Sequence, residues 1–196
     1  MQFDNPTPAD SAFPSLANHF LIAMPNMVDP NFQGSVIFVC EHNERGALGL
    51  VVNRDTEIRV SNLFDRIDLK LEIELDGDRK VLYGGPVQSD RGFVLHTPSR
   101  DWNSTLKIAS DIALTTSKDV LEALAGGNGP RDWLITLGYA GWAAGQLEHE
   151  IADNAWLTVK ASADILFRTP VERRFDAAFR LLGFDPGMLS SAAGHA

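Results

Sequence analysis

CEHNERGALGLVVN, residues 40–53, joins two apolar strands through a polar turn. Upstream of it, Val36 to Cys40 is apolar without alternation, so the strand Ser35 to His42 is expected to lie centrally, covered on both faces. The turn Asn43-Glu44-Arg45-Gly46 returns the chain into Leu48 to Val52, and Gly46 supplies a residue for positive φ. A hairpin of this kind is antiparallel by construction. It argues for an α+β fold with a mixed sheet and against a doubly wound parallel one.

The remaining elements follow from this hairpin outward. His19 to Met24 reads as a strand stopped by Pro25, and Lys80 to Tyr83, Gly92 to His96, Ile112 to Thr115, Trp133 to Leu137 and Trp156 to Val159 as further strands. A short helix carries Leu63, Phe64 and Ile67, with Ser61 as its cap. A second opens at Thr116-Ser117-Lys118-Asp119 and ends at Gly126. In the last helix Thr169 is the expected cap, Pro170 the first position and Glu172 the capping-box partner. Its stripe is Val171, Phe175, Ala178, Phe179 and Leu182, and Gly183 stops it. One domain is expected over residues 16–188, between a flexible N-terminal arm, 1–15, and a disordered tail, 189–196.

Composition narrows the function. The 44% hydrophobic content of the 196 residues is that of an ordinary globular domain. No apolar run is long enough to cross a bilayer, so no membrane partner is expected. One cysteine excludes an intrachain disulfide, and the N-terminus has no secretory pattern, which together point to the cytoplasm. Seventeen Lys and Arg against twenty-six Asp and Glu give a net charge of -9, which argues against nucleic acid as a partner. Arg168, Arg173, Arg174 and Arg180 are interleaved with Glu172 and Asp176 and read as a solvated helix face.

Four motifs carry candidate chemistry. Cys40 and His42, two apart on a strand, would share a face about 7 Å apart; the preferred reading is a core cysteine and a histidine at the strand's polar end. His149-Glu150-x-x-Asp153 approaches a zinc-protease motif, but His149 projects away from the stripe Ala144, Leu147 and Ile151. Gly138, Gly141 and Gly145 are expected to follow a strand and enter a helix, allowing Trp142 to pack closely. Tyr83-Gly84-Gly85-Pro86 forms a backbone-exposed turn, with Arg91 and His96 downstream on the next strand. No metal-ligating set and no cofactor motif is read from the chain.

Together these segments resemble the AlgH/YqgE family, a bacterial group carrying a transcriptional-regulator label. The resemblance runs from about Ala17 to Leu182. It rests on Glu41-His42, Gly46-Ala47-Leu48-Gly49, Asn53, Gly84-Gly85-Pro86 and Leu95-His96, then Gly138-Tyr139-Ala140-Gly141-Trp142, Gln146-Leu147-Glu148 and Asn154-Ala155-Trp156. It implies a compact α+β domain with an irregular, partly barrel-like mixed sheet, and no established substrate, cofactor or catalytic set.

The glycine-rich segments are expected to converge on one ligand cleft formed by His42, Asn53, Gly84, Gly85, Arg91, His96, Gly141 and Trp142. The favoured role is an accessory protein binding a small ligand or a protein partner, with any effect on transcription indirect. A hydrolase or transferase with His96 or His42 as general base, metal-assisted or not, is the alternative; direct DNA binding is a third reading, opposed by the charge. No signal for an oligomeric state is visible.

Overall fold

The structure, a computed structural model, describes residues 14–74 and 79–183. The expected arm, except its last two residues, and the expected tail lie outside them.

The chain opens with strands β1 (His19–Ala23), β2 (Val36–Asn43), β3 (Gly46–Val51) and β4 (Asp55–Arg59), followed by helix α1 (Val60–Arg66). Strands β5 (Lys80–Tyr83), β6 (Val87–Thr97), β7 (Thr105–Lys107) and β8 (Ala113–Thr115) precede helix α2 (Lys118–Ala125). Then come β9 (Asp132–Ala143), α3 (Gln146–Ala152), β10 (Trp156–Lys160), α4 (Ala163–Phe167), a 3-10 turn (Val171–Arg173) and α5 (Arg174–Arg180).

Across the sheet the order is β10-β1-β2-β3-β9-β6-β8-β7, with β4 on β5 and β5 on β9. Every pairing is antiparallel except β5 with β9. The fold is therefore α+β, a mixed sheet curled into a half-barrel and flanked by helices. No helix among the described residues is long and apolar enough to cross a membrane.

Strand β2 shows why both faces are apolar. Val36, Phe38 and Cys40 enter the core beneath α4 and α5, while Ile37 and Val39 enter a second core with Leu147 of α3. Alternation on a strand delivers successive side chains to opposite faces, so a strand buried twice must be apolar throughout. A third core sets α1 and α2, through Phe64, Val120 and Leu124, against Val81, Val94 and Ile135.

Several local expectations change. β9 does not end at Leu137; it continues through Gly138 and Gly141 to Ala143, exchanging β6 for β3 as its neighbour. Ser61 lies inside α1, whose N-cap position is Arg59. Thr169 does not cap the last helix, because its hydroxyl donates to the Asp164 carbonyl at 3.2 Å and closes α4 instead. Pro170 accordingly leads into the 3-10 turn. β4, β7 and α4 are additional elements, each five residues or fewer.

Candidate functional site

The Gly84-Gly85 turn is pressed against the point where β9 changes neighbours. A Cβ on Gly84 would lie 2.2 Å from the Gly138 carbonyl oxygen, and one on Gly85 2.2 Å from the Tyr139 carbonyl carbon. Gly84 also donates to the Leu137 carbonyl at 2.8 Å and accepts from the Val51 amide at 2.8 Å. Gly138, at φ +73°, completes the crossing. The approaching partner at these glycines is therefore the protein's own backbone.

His42 and Trp142 do come together, through a bulge. The β2–β3 register slips between Val39 and Glu41, so two residues of β2 oppose one of β3. Cys40 stays in the core with Phe38, whereas His42 pairs with Ala47, which in turn faces Trp142. The expected shared face of Cys40 and His42 is thereby removed. Burial pushes the Cys40 thiol far up, which denies it the thiolate a nucleophile needs.

His42 lies on the α3 side. Its Nδ1 accepts from the Leu16 amide at 2.9 Å, so Nε2 carries the proton and donates to Glu148 at 2.8 Å. Two residues along the helix, Glu150 Oε2 accepts both indole N–H groups, Trp142 at 2.9 Å and Trp156 at 2.8 Å. Phe32 stacks on Trp142, with ring centroids 6.4 Å apart. The carboxylates of the Gln146-Leu147-Glu148 and His149-Glu150 segments thus hold helix to sheet. Glu150 is committed to the indoles, and His149 is exposed.

The other expected site residues lie elsewhere. Asn53 bridges strand ends, accepting from the Val36 amide at 2.7 Å and donating to the Gly34 carbonyl at 2.9 Å. Arg91 donates to Gln88 at 3.3 Å and lies over Phe93. Gly141 is exposed beside the Tyr139 ring. His96 pairs with Trp133, nine residues along β9 from Trp142, about 30 Å of strand. The eight residues do not surround one concavity.

His96 is fully buried against Trp102. Nδ1 donates to the Pro98 carbonyl at 3.2 Å, and Nε2 accepts from the Thr115 hydroxyl at 2.9 Å. Burial lowers its pKa below the ordinary value of 6.5, with the Pro98 hydrogen bond opposing. Below pH 6.5 the unfolded chain takes up a proton that the folded protein refuses. This contribution to stability is present above that pH and lost as pH falls beneath it. Proton NMR of the His96 ring should give a titration midpoint below 6.5; a midpoint at or above that value would contradict the burial argument.

The largest departure from expectation is Arg174. The interleaved charges predict a solvated face for it, yet it is 6% exposed. Its Nη1 donates to the Val52 carbonyl at 2.6 Å and its Nε to the Thr169 carbonyl at 3.0 Å. Burial pushes its pKa down to about 10, opposed by the charges of Asp55 and Glu172. The spacing could have revealed this. Arg174 lies three residues after Val171 and four before Ala178, on the apolar stripe itself.

Arg174 forms one wall of a cleft of about 300 Å³. Asp55 of β4, Arg79, Lys80 and Leu82 of β5, and Trp133, Leu134 and Ile135 of β9 line it too. Phe167 and Val171, at the end of α4 and in the 3-10 turn, complete the apolar part. Arg79 is held over the Trp133 ring at 4.5 Å. None of these residues was among the expected eight.

Comparison with known proteins agrees with the fold. A family profile described as AlgH-like matches residues 20–187. A UPF0301 protein of Bordetella petrii is 60% identical over 187 residues, covering 95% of this chain and 92% of that protein. One from Ralstonia nicotianae is 59% identical over 182 residues, covering 93% and 96%. The solution structure of the AlgH protein from Pseudomonas aeruginosa matches with a TM-score of 0.75 at 45% identity, over 99% of this chain and 100% of that one. A Corynebacterium diphtheriae protein at 19% identity shares the fold, with a TM-score of 0.67 over 92% and 89%.

Proposed function

The chain belongs to the AlgH-like family, and from that premise we propose that it is a small-molecule-binding accessory protein whose ligand site is the cleft beside Arg174. The observation that carries the reading is a buried guanidinium lining a cleft of about 300 Å³. The cleft's volume lies at the lower end of the range usual for ligand sites, and charged groups converge on it beside apolar lining. The histidines suit general-base roles poorly, since His96 is fully buried and His42 has both ring nitrogens engaged. Any influence on transcription would then be indirect, through the bound ligand or a partner that senses it.

The test is a thermal-shift screen of the full chain against a metabolite panel, repeated with Val171→Trp, which fills the cleft. A ligand at 100 times its Kd stabilises by about 2.7 kcal/mol, worth roughly 5–11 °C for a domain this size. The reading expects a hit that Val171→Trp abolishes while the variant remains folded. A hit retained in that variant, or no hit at all, would count against it.

A further inference from the structure

The cleft's own groups state what chemistry it prefers. Arg174 spends Nη1 and Nε on backbone carbonyls. Its Nη2, among the described residues, has no hydrogen-bond partner and no carboxylate within ion-pairing distance, yet it is not sealed from solvent. A charged donor held by two carbonyl bonds and nine-tenths buried on the wall of a cleft is an incomplete arrangement. Arg79 and Lys80 stand on the same cleft, and among the described residues Asp55 is the one carboxylate that lines it. Three cations so gathered run against a chain whose net charge is -9. Leu134, Phe167 and Val171, which share one core, supply apolar lining to the same cleft.

We propose that this cleft takes a small organic anion, a phosphate or carboxylate headgroup on an apolar body, with the headgroup on Arg174 Nη2 and the body against Leu134, Phe167 and Val171. The inference rests on the cleft being the ligand site and adds the class of ligand. Arg174 serves as the fixed donor, since its two carbonyl bonds orient the planar fork before any ligand arrives. Arg79, held against the Trp133 ring and the Trp133 carbonyl at 3.3 Å, and Lys80 supply longer-range attraction at the mouth. A bound oxyanion would also offset the burial of the Arg174 charge, which the distant Asp55 and Glu172 do only in part.

Backbone amide NMR of the full chain, titrated separately with phenyl phosphate, benzoate, phenol and inorganic phosphate, tests this. Phenyl phosphate or benzoate should shift the amides of Trp133, Ile135, Phe167 and Val171 and bind about tenfold or more tightly than phenol. Which of the two binds better tells a phosphate site from a carboxylate site. The pair Arg79→Gln and Lys80→Gln, exposed at the rim and remote from the core, should weaken that binding several-fold without changing the fold. Phenol binding in the cleft as tightly as the anions would overturn the anion inference and leave the cleft reading standing. No cleft shift with any of the four would overturn both, and phosphate shifts scattered outside the cleft would mark an adventitious ion only.

Discussion

Gly85→Ala is expected to abolish or nearly abolish folding. The new Cβ would lie 2.2 Å from the Tyr139 carbonyl carbon and 2.4 Å from the Ala140 amide nitrogen, at a backbone φ of +151°. Neither contact is with the free end of a side chain, so β9 itself would have to move. The strained backbone is worth about 1–3 kcal/mol and the overpacking as much again or more. A total of about 4 kcal/mol approaches the whole stability of an ordinary domain. Urea denaturation should show it, with Gly92→Ala as the control. Gly92 has nothing within 4 Å of its Cβ position, so the control should be neutral or slightly stabilising. A folded Gly85→Ala protein of near-normal stability would remove the backbone-crossing account of this turn.

The second large effect is at Arg174. Replacement by alanine leaves the Val52 and Thr169 carbonyls without their donor. The orphaned Val52 acceptor is buried and costs about 1–3 kcal/mol, the half-buried Thr169 acceptor less, so a loss of about 2 kcal/mol is expected from the urea midpoint at unchanged slope. Arg174→Met keeps most of the stem's packing and separates that term from the hydrogen bonds. An arginine on a solvated helix face would give a change within about 0.5 kcal/mol. That small value, if measured, would return Arg174 to the surface and take the cleft's fixed donor with it.

The two predictions mark the limits of what local pattern conveys. The β2–β3 hairpin was legible because an uninterrupted apolar run, a polar turn and Gly46 stand next to one another in the chain. Strands β1, β5 and β10 and helix α2 were legible for the same reason: period and punctuation are short-range. The family, too, could be read from the residues, and with it a curled mixed sheet. Glycine at strand ends reads equally as room for a ligand or room for backbone. At Gly84, Gly85 and Gly138 it makes room for another strand, and nothing near these residues in sequence shows which.

By itself, then, the sequence determined the class of fold, its strongest elements, the doubly buried β2 and the acidic balance that argues against nucleic acid. These follow from side-chain periodicity and charge, which need no knowledge of neighbours. Only the tertiary structure decided that a bulge at Cys40 turns His42 toward Glu148, that His96 pairs with β9 nine residues from Trp142, and that Arg174 is buried. It alone brought Asp55, Arg79, Lys80, Trp133 and Arg174 to one cleft. The physical reason is that strand register, a bulge and the crossing of two backbones are set by pairings between segments distant in the chain, whose energies no local window contains.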